Sequence, residues 1–129
     1  FEIARRNDFK VVCFIAPTTT DQRVSLITQK AQGFLYYISV VGITGIRDKL
    51  PDDIIQNINK LKQMTNIPVA VGFGVSTSEH AKLIGTVADG VIVGSAIMRE
   101  IEKYAKEPSE ELVRGVGEFV GQLISGAKG

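Results

Sequence analysis

The sequence predicts an α/β fold built on a parallel sheet, and three observations carry that prediction. Four short apolar runs are continuous rather than alternating, the pattern of strands buried on both faces beneath helices. Amphipathic helical stretches separate these runs. Strict alternation of the two implies parallel strands joined by right-handed crossovers.

The chain opens on Phe1-Glu2-Ile3-Ala4-Arg5-Arg6, which reads as the last turns of an amphipathic helix, with cations where a helix C-terminus favours them. That start suggests a βα unit cut in its middle; a frayed terminal helix is the alternative. Asn7-Asp8 then turns into the first strand, Val11 to Ala16. A helix from about Thr20 to Gln32 follows, with Val24, Ile27 and Ala31 on one face. Thr19 and Gln22 have capping-box spacing at its start, and Gly33 is its stop. The second strand is Phe34 to Ile38. The second helix runs from about Pro51 to Met64. Pro51 suits the first turn, Asp52 and Asp53 complement the dipole, and Ile54, Ile55, Ile58 and Leu61 form the buried face.

Val69 to Phe73 is the third strand. Ser76 and Glu79 have capping-box spacing for a third helix, with Ala81 and Ile84 facing inward. The fourth strand is Gly90 to Val93, followed by a helix from near Ser95 with Ile97, Ile101 and Tyr104 on one stripe. A last helix starts after Pro108, capped by Ser109, with Leu112, Val113, Val116, Phe119, Val120 and Leu123 as its buried side. No linker or low-complexity stretch interrupts the 129 residues, which read as one domain, 1–129.

Composition narrows the function classes. Fifteen Lys and Arg against fourteen Asp and Glu give a net charge of +1, which argues against a nucleic-acid partner. No apolar run approaches the roughly 18 residues of a membrane span, and no signal-peptide pattern opens the chain. The lone Cys13 permits no internal disulfide, which fits a reducing compartment.

In parallel α/β folds ligands sit beyond the carboxyl ends of the strands. After the third strand stands Gly72-Phe73-Gly74-Val75-Ser76, and after the fourth Gly94-Ser95-Ala96. Each places glycine at a strand end and a hydroxyl near a helix N-terminus, where free N–H groups and the positive dipole end receive an anion. With Gly42 to Gly45 beside them, these turns would form one phosphate cradle, as after the last two strands of a TIM barrel. The alternative is that the glycines only permit tight βα turns.

Proton-transfer machinery is not evident. No carboxylate lies at a strand carboxyl end, and Asp48, in the loop after the second strand, is the one near candidate. The lone His80, among Ser78, Glu79 and Lys82, reads as a solvated surface residue. Cys13 reads as a small core residue, and no metal-ligand spacing is present.

Ile15-Ala16-Pro17-Thr18-Thr19-Thr20, Phe34 to Ser39 with Gly42-Ile43-Thr44-Gly45, Pro68 to Ser76, and Asp89 to Ile97 together resemble the tryptophan synthase alpha subunit family, in order and over the whole chain. Gly-Ile-Thr-Gly combined with Gly-Phe-Gly-Val-Ser and Val-Gly-Ser-Ala is highly specific; the histidine-biosynthesis barrels share only the last two turns loosely. The resemblance implies a TIM (β/α)8 barrel of which the four strands here are strands five to eight, a C-terminal half. It implies cleavage of indole-3-glycerol phosphate to indole and glyceraldehyde 3-phosphate. It also implies a beta-subunit partner in an alpha-two beta-two complex, with pyridoxal phosphate on the beta subunit and no cofactor here. Gly45, Gly74, Gly94 and Ser95 would bind the substrate phosphate, and Phe73 and Tyr36 would line the pocket. Thr44 would close over substrate and hydrogen-bond the catalytic aspartate. The loop from Val41 to Leu50 would be the mobile lid that communicates with the beta subunit.

The family's catalytic Glu and Asp lie in the first half of the barrel, which this sequence does not contain. A (β/α)8 barrel needs roughly 250 residues, about twice this length. The expectation is therefore phosphate binding without unaided turnover, in a cytoplasmic protein or, for a plant source, the plastid stroma. An alternative is a noncatalytic half-barrel that self-associates through its unpaired strand edges.

Overall fold

The computed structural model describes residues 1–38, 52–72 and 74–128. Its elements are α1 (Glu2–Arg6), β1 (Cys13–Ile15), α2 (Asp21–Thr28), β2 (Leu35–Ile38), α3 (Asp52–Met64), β3 (Val69–Gly72), α4 (Ser78–Gly85), β4 (Gly90–Val91), α5 (Ser95–Lys103) and α6 (Ser109–Lys128). The strands pair in parallel in the order β1-β2-β3-β4. This is the expected α/β architecture: four βα units and a C-terminal helix, one half of a (β/α)8 barrel.

Sequential strand order decides where the core sits. Right-handed crossovers between neighbouring strands put every connecting helix on the same side. Ile15, Leu35, Tyr37, Val69 and Val71 accordingly pack with Val24 of α2, Ile54, Ile58 and Leu61 of α3, and Ala81 and Ile84 of α4. Among the described residues no helix covers the other face, contrary to the expectation from the continuous apolar runs. Strand register lines Phe14, Tyr36, Ala70 and Gly90 across it in one row that tapers from large to small. Phe14 is 59% exposed and Ile38 38%. Such runs mark strands of a closed barrel as well as of a two-sided open sheet, because a barrel interior is also packed.

Helix boundaries moved for local reasons. Thr20, not Thr19, is the N-cap of α2, because the Thr19 hydroxyl accepts the Ala16 N–H at 3.0 Å within the preceding turn. That helix ends at Thr28, with Gln29 as its C-cap, rather than at Gln32, so Gly33, at φ +76°, turns the chain beyond the helix and is not its stop, although Ala31 still packs on the core. Thr77, not Ser76, caps α4, its hydroxyl accepting the His80 N–H at 3.2 Å. Ser109 is the first residue of α6 and not its cap, since the Pro108 carbonyl accepts the Leu112 N–H. Val113 faces solvent, 68% exposed, because α6 buries the stripe that ends in Leu123. Tyr104, ending α5, fills the space beside Gly115 of α6, and a Cβ at Gly126 would collide with the Ser78 backbone, so α6 lies close on α4.

At the amino ends of the strands Asp89 joins three elements. It accepts the Val69 N–H at 2.9 Å and the Lys62 ammonium at 2.7 Å. Those two partners, the ammonium first, hold its carboxyl below the ordinary carboxylate range.

Candidate functional site

At the carboxyl ends of β3 and β4 lies a cleft of about 300 Å³, lined by Tyr36, Gly72, Gly74, Val75, Ile92, Gly94, Ser95, Ala96 and Arg99. Each loop is anchored by one apolar side chain and presents backbone beside it. Val75 is 3% exposed and Ala96 5%, whereas Gly74, Gly94 and Ser95 face solvent. Gly74 has φ +52°, a conformation that costs a residue with a Cβ about 1 kcal/mol or more.

Gly94 is the N-cap of α5, and its carbonyl accepts the Met98 N–H at 3.1 Å. No side chain caps this helix, so its first N–H groups are available to an anion along the positive end of the dipole. A Cβ at Gly94 would meet no atom within 4 Å, so a side chain there would stand in open space at the cleft.

Tyr36 reaches the site from β2. Its ring leans on Phe14, centroids 5.1 Å apart and planes at 44°, an arrangement that aromatic quadrupoles favour. The far end of the ring lies over Gly72, whose missing side chain admits it.

Of the residues singled out in the sequence, Tyr36, Gly74, Gly94 and Ser95 come together around this cleft. Thr44, Gly45 and Phe73 lie outside the described residues, as do Asp48 and the lid segment. Arg99 was not anticipated; its signal is a cation four residues after Ser95, on the same side of a helix that begins at the cradle. Among the described residues no carboxylate lines the cleft.

The remaining candidates fall elsewhere. His80 is buried, 5% exposed, which corrects the expectation of a solvated residue. Position 80 follows Thr77 by one helical turn and shares the inward side of α4 with Ala81 and Ile84; its Nδ1 has no hydrogen-bond partner among the described residues. Cys13 is partly buried against the core. Among the described residues no group of three His, Cys, Asp or Glu could hold a metal ion, and no helix is long and apolar enough to cross a membrane.

Comparison with known proteins adds a family. The family model of the tryptophan synthase alpha chain matches residues 1–127. The chain is 39% identical to the tryptophan synthase alpha chain of Chloroflexus aurantiacus over 124 residues, 96% of this chain and 46% of that one. To the Acinetobacter baumannii protein of the same name it is 41% identical over 109 residues, 84% of this chain and 41% of the relative. Among solved structures it superposes on the alpha chain from Legionella pneumophila with TM-score 0.81 at 26% identity, covering 98% of this chain and 45% of that one. The A-subunit from Pyrococcus furiosus gives TM-score 0.73 at 37% identity, covering 93% and 48%. The chain thus spans about half the length of the relatives it matches.

Proposed function

Because this chain belongs to the tryptophan synthase alpha chain family, we propose that it supplies the phosphate-holding half of a lyase that splits indole-3-glycerol phosphate into indole and glyceraldehyde 3-phosphate. The observation that carries the proposal is the convergence of two glycine-ended strand-to-helix turns and Tyr36 on one cleft whose described lining holds no carboxylate.

In this reading residues 1–129 form one structural unit. The N–H groups at Gly74 and Gly94, the Ser95 hydroxyl and Gly45 hold the phosphate. Phe73 and Tyr36 line the pocket for the indole end, and Thr44 closes over the substrate. Fixing the phosphate, remote from the bond that breaks, spends binding energy on orienting the reacting carbon. The cleavage also needs an acid and a base, which we assign to a Glu and an Asp in the part of the barrel outside these residues. Indole then passes to a beta subunit that carries the pyridoxal phosphate, and this chain itself uses no cofactor. The setting is cytoplasmic, or the plastid stroma for a plant source.

The test is indole release from indole-3-glycerol phosphate by the 129-residue chain and by the protein at full natural length. Turnover by the full-length protein alone is expected, with the shorter chain still binding glycerol 3-phosphate. Turnover by the shorter chain would overturn the division of labour.

The uncovered sheet face favours a second reading for the isolated chain. Phe14 at 59% exposure and Ile38 at 38% leave apolar surface between the edge strands β1 and β4. Exposed edges and apolar faces drive association, so the isolated half self-associates. A monomeric mass in sedimentation equilibrium at micromolar concentration would refute this.

A further inference from the structure

Among the described residues Arg99 is the one charged side chain lining the cleft, and nothing above gives it a task. Resting on the phosphate reading of that cleft, we propose that Arg99 is the cation that balances the bound phosphate ester and selects the dianion over neutral or singly charged ligands.

Three observations support this. First, Arg99 lies one turn beyond Ser95 in α5. Helical side chains lean toward the N-terminus, so the guanidinium is carried back over the turn that presents the free N–H groups. Second, the other described groups lining the cleft are neutral: backbone N–H groups, the Ser95 hydroxyl and the Tyr36 phenol. A phosphate ester carries about −1.5 to −2 at pH 7, whereas a helix N-terminus offers only about half a positive charge. Third, Glu100, the adjacent carboxylate, is paired with Lys103, and among the described residues Arg99 has no ion-pair partner. A planar guanidinium suits a phosphate because it can donate two parallel hydrogen bonds.

The experiment is calorimetric titration of glycerol 3-phosphate into the full-length protein. It compares the parent protein with Arg99→Gln, Arg99→Lys and Gly94→Asp. Arg99→Gln is expected to weaken binding about tenfold, the loss of one exposed charge-assisted contact, and Arg99→Lys to recover part of it. Parent affinity should rise between pH 5.5 and 7.5 as the ligand takes its second charge near pH 6. It should fall with added salt, and both responses should be blunted in Arg99→Gln. Equal affinity and equal pH response in Arg99→Gln, with binding still lost in Gly94→Asp, would overturn the role of Arg99 and leave the cradle standing. No binding by the parent protein would overturn both.

Discussion

The hydroxyl of Tyr36 occupies the space that a side chain at Gly72 would need: a Cβ there would lie 2.5 Å from the Tyr36 Oη and 2.9 Å from the ring carbon that bears it. The two residues are offset by two positions in the register, since Tyr36 sits opposite Ala70 and Ile38 opposite Gly72. Gly72→Ala is therefore expected to push the Tyr36 ring off its place at the cleft. Overpacking of this kind costs about 1–3 kcal/mol. Pairing Gly72→Ala with Tyr36→Leu should recover most of that loss, giving a non-additive cycle in urea unfolding. Additive effects would show that the two positions do not compete for space.

Thr77→Ala should lower stability by about 1 kcal/mol, because the Thr77 hydroxyl accepts the His80 N–H at the start of α4. Ser76→Ala should change it by much less. Urea midpoints of the two variants decide which residue is the cap, and a larger loss for Ser76→Ala would reverse the assignment.

This one-residue shift shows how the sequence was legible. Ser76-Glu79 and Thr77-His80 both place a hydroxyl three residues ahead of a helical N–H, and spacing alone does not choose between them. The order of elements, the parallel sheet and the core positions Ile54, Ile58, Ala81 and Ile84 were readable, because periodicity encodes burial directly. The open face carrying Phe14 was not, since an apolar strand reads the same whether its second face meets helices or a barrel interior. His80 misled because its polar neighbours in sequence point elsewhere on the helix, while position 80 turns inward with Ile84. The glycines of the cleft were legible as glycines at strand ends. Arg99 was hidden because a cation on a helix is ordinarily a solvated one.

Asp89 gives a pH prediction with a definite sign. Its native carboxyl is held below the ordinary value by Lys62 and the Val69 N–H. A depressed native value makes a stabilising contribution that is complete above the unfolded value near 3.9. The contribution is lost as pH falls through the lower native value. Asp89→Asn should therefore cost about 1 kcal/mol near pH 7, a modest figure because the side chain is 39% exposed. The gap between the two proteins should stay level above about pH 5 and close below about pH 4. A gap that persists unchanged to pH 2 would show that charge at Asp89 is irrelevant.

Tyr37 is 2% exposed, and its hydroxyl lies near Asn57 without a hydrogen bond of good geometry. Burial pushes that hydroxyl above its ordinary value. Among the described residues this hydroxyl has no partner, and removing such a buried polar group relieves a desolvation cost. Tyr37→Phe is thus expected to leave thermal stability unchanged or raised. A loss of more than about 1 kcal/mol would mean that the hydroxyl is satisfied in solution.

The central claim is that the turns ending β3 and β4 form a phosphate cradle. Titration of glycerol 3-phosphate into the parent protein and into Gly94→Asp tests it most directly. A Cβ at Gly94 meets nothing within 4 Å, so the fold should tolerate the change, while the new carboxylate stands where the phosphate would sit. The account predicts saturable binding by the parent protein and none by Gly94→Asp with unfolding behaviour retained. Equal affinity in the two proteins would contradict it.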